Sequence, residues 1–190
     1  MSAIPKFSHV VFQTPQGEAM RNWYSTVLDG RVVFSDDVLS FVTYDEEHHR
    51  IALIHPPVAM DRKTETTAAA HHTAFTFANI DELIERYELL RDKDILPAVC
   101  ICHGITTSMY YKDPDGNFVE MQIDTFENPD DATAYMQGPY YEEDSVGPAF
   151  DPEELVKRRR EGASEKELGD RETWRHSGLG NPLEILMGPR

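Results

Sequence analysis

The chain has 190 residues, 40% of them hydrophobic, and a formal net charge of −16. That is enough apolar material for one globular unit, or two small lobes sharing a core, and it excludes global disorder. A chain this acidic repels phosphate backbones and anionic lipid, so no nucleic acid and no membrane is expected as partner, whereas a small uncharged or weakly acidic ligand fits.

In chain order, residues 7–13 are β-branched and aromatic, stop at Thr14-Pro15, and predict a strand. Met20, Trp23, Tyr24, Val27 and Leu28 recur at helical spacing, so 17–28 predicts an amphipathic helix ended by Asp29-Gly30. Three strand-like runs follow at 31–35, 38–44 and 49–55. Residues 56–70 are a Pro-interrupted and then polar connector. The same order then returns: a strand at 71–77, a helix at 81–91, and strands at 97–102, 107–112 and 117–124. Asp113-Pro114-Asp115-Gly116 forms the turn before the last strand.

The repeat is also visible in the letters. His9-Val10-Val11-Phe12 and His72-Thr73-Ala74-Phe75 are the same H-x-x-F pattern in corresponding first strands. The expected fold class is therefore α+β: two βαβββ modules whose sheets form a cup. Residues 1–126 make up this domain. Residues 127–190 form a C-terminal extension of helical and irregular character. In it, Asp151 as N-cap, Pro152 at N1 and Glu154 at N3 predict a helix near 151–162. The basic run Lys157 to Arg160 complements the helix dipole and reads as a solvated helix end. The tail from Gly169 has no clear pattern; covering a sheet face or joining a dimer contact are the two roles open to it.

The only cysteines, Cys100 and Cys102, project from one face of a strand, where an i,i+2 disulfide is strained. They read as reduced thiols. With no leader and no apolar run near the ~20 residues of a membrane span, the expected location is the cytoplasm.

Seven of the eight histidines lie between residues 9 and 103. Strand alternation puts Phe7, His9, Val11 and Gln13 on one face. His71 and His72 should point to opposite sides, and the H-x-x-F repeat selects His72 for the interior. In the last strand Val119, Met121 and Ile123 share a core-like face, so Glu120 points the other way. A carboxylate inside Phe-Val-Glu-Met-Gln-Ile is costly unless it is paired or bound to metal. His9, His72 and Glu120 together make a two-histidine, one-carboxylate set. Such a set leaves about three coordination positions open and suits Fe(II) that activates O2, with Mn(II) also acceptable.

The duplicated modules, H-x-x-F, and Asp113 to Glu120 resemble the vicinal oxygen chelate superfamily of glyoxalases, bleomycin-resistance proteins and extradiol dioxygenases. The resemblance covers about residues 6–126. In detail it is to the type I extradiol catechol dioxygenases, in particular the catalytic domain of those acting on 2,3-dihydroxybiphenyl, without their extra N-terminal domain. His48-His49 before Arg50-Ile51-Ala52-Leu53, His71-His72, and His103 followed by Ser108-Met109-Tyr110 carry that narrower match. The resemblance implies His49 as the acid/base residue, His103 and Tyr110 as hydrogen-bonding partners of the substrate oxygens, and His9, His72 and Glu120 as iron ligands. The implied substrates are a catechol and O2. A homodimer is compatible, since paired modules leave sheet edges to cover. Two other activities compete. A glyoxalase-like isomerase or lyase needs a fourth ligand, typically a carboxylate on the fourth strand, and 49–55 has none. A metal-free protein that sequesters aromatic compounds would lack the ligand set.

Overall fold

A computed structural model of the chain describes residues 4–61, 63–64 and 67–187. The chain divides into two compact units: Met1–Thr67 with Asp113–Asn117, and Ala68–Lys112 with Phe118–Arg190.

The first unit runs β1 (Val10–Gln13), α1 (Gly17–Val27), β2 (Arg31–Ser35), β3 (Leu39–Thr43) and β4 (Ile51–Ile54). Its sheet has the order β1-β4-β3-β2, with β1 parallel to β4 and the other pairs antiparallel. Met20, Tyr24 and Val27 recur on one side of α1 and are fully buried. Asp29 ends the helix in the left-handed region at φ 52°. The Asp113–Asn117 turn packs here as well. The Asp113 carboxylate accepts from the amides of Asp115 and Asn117, from the Asn117 side chain and from the Tyr24 hydroxyl. Burial nevertheless holds its pKa above the ordinary value.

Two strands of this unit start later than expected, ahead of which two histidines stand. β1 starts at Val10 rather than residue 7, and β4 at Ile51 rather than 49, so His9 and His49 stand just ahead of their strands. Arg50 supplies the reason. Its guanidinium donates to the carbonyls of Phe7 (2.9 Å) and Ser8 (3.0 Å) and grips Asp45 at 2.9 and 2.7 Å. Those carbonyls find a side chain instead of a neighbouring strand.

The second unit repeats the order with β5 (His72–Thr76), α2 (Ile80–Arg91), β6 (Val99–Cys102), β7 (Thr106–Lys112) and β8 (Phe118–Asp124). Its sheet order is β5-β8-β7-β6, again with one parallel pair, β5 with β8. The extension adds α3 (Pro129–Met136), α4 (Pro139–Glu143), α5 (Pro152–Arg160), α6 (Glu165–Leu168), α7 (Arg171–Trp174) and α8 (Pro182–Met187). α5 is the helix expected near 151–162, and Asp151 caps it by accepting from the Glu153 amide. Its basic end is not merely solvated. Arg159 makes two 2.7 Å bonds to Asp81, and Arg160 reaches Glu88, both on α2.

One face of the second sheet is core. Val119, Met121, Ile123, Met109 and Tyr111 are at most 1% exposed, and Tyr87 of α2 lies beside Tyr111. Cys100 and Cys102 are free thiols, at most 2% exposed. Burial pushes both up, Cys102 to about 11. No helix among the described residues is long and apolar enough to cross a membrane.

Candidate active site

Strand alternation sends Glu120 to the face opposite Val119 and Met121. Register then decides its neighbours. Glu120 is level with Tyr110 on β7 and Ala74 on β5, while His72 is level with Phe118 one row away. Glu120 is 4% exposed. A bare carboxylate there would be costly, and the fold answers with donors. The Tyr110 hydroxyl lies 2.7 Å from Glu120 Oε1, and His72 Nε2 lies 3.1 Å from Oε2. Burial pushes the Glu120 carboxyl up, but hydrogen bonds led by that from His72 outweigh it and hold the group below the ordinary range. His72 is correspondingly raised, chiefly by the bond to Glu120.

The network continues through His103, in the loop after β6. Its Nδ1 is 2.6 Å from the carbonyl oxygen of Val146, and its Nε2 is 3.0 Å from the Tyr110 hydroxyl. A carbonyl can only accept, so Nδ1 carries the proton. Burial lowers the pKa of His103 and favours the neutral ring, whose Nε2 is then an acceptor. The single Tyr110 proton therefore faces two acceptors, His103 Nε2 and Glu120 Oε1. Burial and the Glu120 charge raise the phenol and keep that proton in place.

The same reasoning orders the other side. His71 Nε2 is 3.0 Å from the carbonyl oxygen of Leu186, so it donates. When His71 is neutral, its Nδ1 accepts from His72 Nδ1 at 2.8 Å. That leaves the Nε2 lone pair of His72 facing a carboxylate oxygen at 3.1 Å. Two acceptors at that distance repel unless a positive charge lies between them, either a proton or a cation. Two ligands each about 2.1 Å from one ion, at a right angle, stand about 3.0 Å apart. The pair therefore fits a divalent cation. His71 was expected to point away from His72, but β5 begins only at His72, so strand alternation does not govern the residue before it.

In the first unit His9 and His49 meet. β1 and β4 are parallel, with Val10 level with Ile51, so the residues just ahead of each strand come to one end. The ring centroids of His9 and His49 are 4.3 Å apart. His49 also stacks on Phe41 at 4.3 Å, and its Nδ1 is 2.6 Å from that of His48. Burial first, then the neighbouring His9 and His48, hold His49 below its ordinary pKa. A neutral imidazole in such a place can accept a proton.

The structure thus joins His72, Glu120, Tyr110 and His103 in one network within the second unit, and His9 with His49 in the first. Among the described residues no three His, Cys, Asp or Glu side chains are drawn together around a common point; the ligand-like set within the second unit is the pair His72 and Glu120. Sequence reasoning missed Arg50, Val146, Leu186 and the part played by His71. For Arg50 a signal existed: a lone cation five residues after Asp45, between two histidines and a strand.

The chain is 57% identical over 152 residues to biphenyl-2,3-diol 1,2-dioxygenase 2 of Rhodococcus globerulus, covering 80% of each chain. It is 44% identical over 190 residues, the full length of both chains, to biphenyl-2,3-diol 1,2-dioxygenase 3 of the same organism. Its fold resembles the crystal structure of a glyoxylase/bleomycin resistance protein/dioxygenase domain from a Frankia species. The TM-score is 0.54 at 17% identity, over 66% of this chain and 96% of that one. The sequence profile of the glyoxalase/bleomycin resistance protein/dioxygenase superfamily matches residues 6–121. Paired βαβββ modules, the sequence profile and two long, close matches all converge: the chain is a member of the glyoxalase/bleomycin resistance protein/dioxygenase superfamily.

Proposed function

We propose that this protein is an extradiol dioxygenase that opens a catechol-type ring beside its diol, placing both atoms of O2 in the product, with His9, His72 and Glu120 holding Fe(II). Mn(II) suits the same ligands. The observation that carries the reading is the 3.1 Å approach of His72 Nε2 to the buried Glu120 carboxylate, next to a tyrosine and a histidine that share one proton. The chain's similarity to the two Rhodococcus biphenyl-2,3-diol 1,2-dioxygenases supports it. We assign the catalytic machinery to residues 1–126 and a covering role to 127–190. We place the protein in the cytoplasm, and a homodimer is compatible with it.

Bound at this site, divalent iron would supply adjacent positions for the diol and O2 and a route for electrons between them. The chain's own residues do the rest. His49, held neutral, accepts a proton from the diol as it binds and returns it as the O–O bond breaks. Tyr110 and His103, the latter fixed by Val146, are the hydrogen-bonding partners of the substrate oxygens and of the charge that develops on them. Apolar Phe118 offers a wall for the ring. The electrons that reduce O2 come from the catechol itself, so no outside reductant is required.

Anaerobic loading with Fe(II), followed by a catechol and air, should give a yellow ring-opened product with one O2 consumed per catechol. A metal-loaded chain with no colour and no O2 uptake across a catechol panel would favour an isomerase or lyase. Failure to bind any divalent metal would favour a sequestering protein.

A further inference from the structure

The face of the second unit that carries Glu120 and Tyr110 is partly roofed by the end of the extension. Val99, Ile101, Tyr110 and Phe118 form a buried apolar cluster on it, and Leu186 of α8 packs against that cluster together with Val146. Val99 is level with Tyr110, and Tyr110 with Glu120, so the cluster and the carboxylate lie in continuous rows of one sheet face. α8 is tied down at the same residue: the Leu186 carbonyl accepts from His71 Nε2 at 3.0 Å. His71 in turn stacks on Phe118, with centroids 5.3 Å apart and planes 19° from parallel. The flanking Ile185 and Met187 are 43% and 55% exposed, so Leu186 is the residue of this turn directed at the site. A helix of six residues has little stability of its own. The bond from His71 to the Leu186 carbonyl and the burial of Pro182 hold it in place apart from the Leu186 side chain, which can be changed without disturbing the sheet core beneath.

We propose that Leu186 is the specificity-determining wall of the active site, limiting the size of the ring substituent a catechol can carry toward β6. This rests on the ring-opening reading above. A catechol whose diol sits beside His72 and Glu120 lays its ring along Tyr110 and Phe118. A substituent directed toward β6 then meets Leu186. The latch through His71 fixes the wall to the residue adjoining the ligand His72, so wall and ligand keep a constant spacing.

The test uses the full-length, Fe(II)-loaded chain and its Leu186→Ala, Leu186→Phe and Leu186→Met variants. Steady-state kcat/KM is measured for unsubstituted catechol and for biphenyl-2,3-diol. Anaerobic titration gives Kd for the same two compounds, a readout independent of turnover. A few methyl-sized groups at an apolar wall shift selectivity by about tenfold or more. The ratio of biphenyl-2,3-diol to catechol should rise by about that factor in Leu186→Ala and fall by a similar factor in Leu186→Phe, in both kcat/KM and Kd. Leu186→Met conserves volume and should leave it near wild type. A ratio within about twofold of wild type in both size variants, or one that moves the same way in both, overturns the wall while leaving ring opening intact. A wild-type chain that opens neither catechol overturns the functional reading, and the wall with it.

Discussion

Tyr110 and Glu120 occupy one register position on neighbouring antiparallel strands, and the phenol reaches the carboxylate at 2.7 Å while also standing 3.0 Å from His103. One proton thus serves two acceptors. Tyr110→Phe removes it and leaves His103 Nε2 without its partner. Removing a single well-placed donor of this kind costs about 10²-fold in kcat. Metal content should stay at the wild-type level, since no proposed ligand is lost. Metal analysis beside steady-state kinetics checks both halves, and loss of metal in this variant would instead make the phenol a structural support of Glu120.

His49 is wedged between the rings of Phe41 and His9. If it moves the diol proton, His49→Ala should keep metal and lose turnover by about 10²- to 10⁴-fold. Metal loss in parallel with activity would make His49 a ligand.

Arg50 clamps the carbonyls of Phe7 and Ser8 and so fixes the residue that follows them, His9. Arg50→Ala frees that segment without touching any proposed ligand. Residues that orient ligands typically govern about 10- to 100-fold in metal affinity, and a loss in that range is expected. Competition with a chelator under anaerobic conditions reads it. Unchanged affinity would remove His9 from the ligand set or show that it needs no clamp.

His72 and Glu120 also set a pH dependence. In the ion-free chain the His72 pKa is raised above 6.5, so its contribution to stability is fully present below 6.5 and is lost as pH rises through the raised value. Glu120 is lowered from 4.5, so its contribution is present above 4.5 and lost as pH falls through the lowered value. The pair therefore stabilises the ion-free chain most between these two pH values. A cation must displace the His72 proton, so binding near pH 6.5 should release a proton and tighten as pH rises. Calorimetric titration with Mn(II) in buffers of different ionisation enthalpy measures that release; its absence would mean that His72 Nε2 is not a ligand.

Much of this was legible in the residues. The alternation of Val119, Met121 and Ile123 with Glu120 identified both the core face and the odd carboxylate, because a period of two leaves a charge nowhere to go but the other side. Tyr111 is fully buried and Tyr110 faces the site network, as their neighbouring positions on a strand require. What failed was the ends of strands. Alternation assigns faces to His9 and His71, yet both sit one residue ahead of a strand, where side-chain bonds from Arg50 or to Leu186 decide orientation instead. The packing of Leu186 on the cluster of Val99, Ile101, Tyr110 and Phe118 joins segments far apart in the chain and depends on tertiary packing, so no local period announces it. The basic end of α5 likewise has its acidic partners on α2, far away in sequence.

The two thiols of β6 have a practical consequence. Sealed on the core side of the second sheet and held in the protonated state, they are shielded from alkylating reagents as long as that sheet stays intact. Their rate of labelling thus times the opening of this half of the molecule, giving every variant described above an internal clock that runs without an attached dye and reports sheet integrity separately from ring opening.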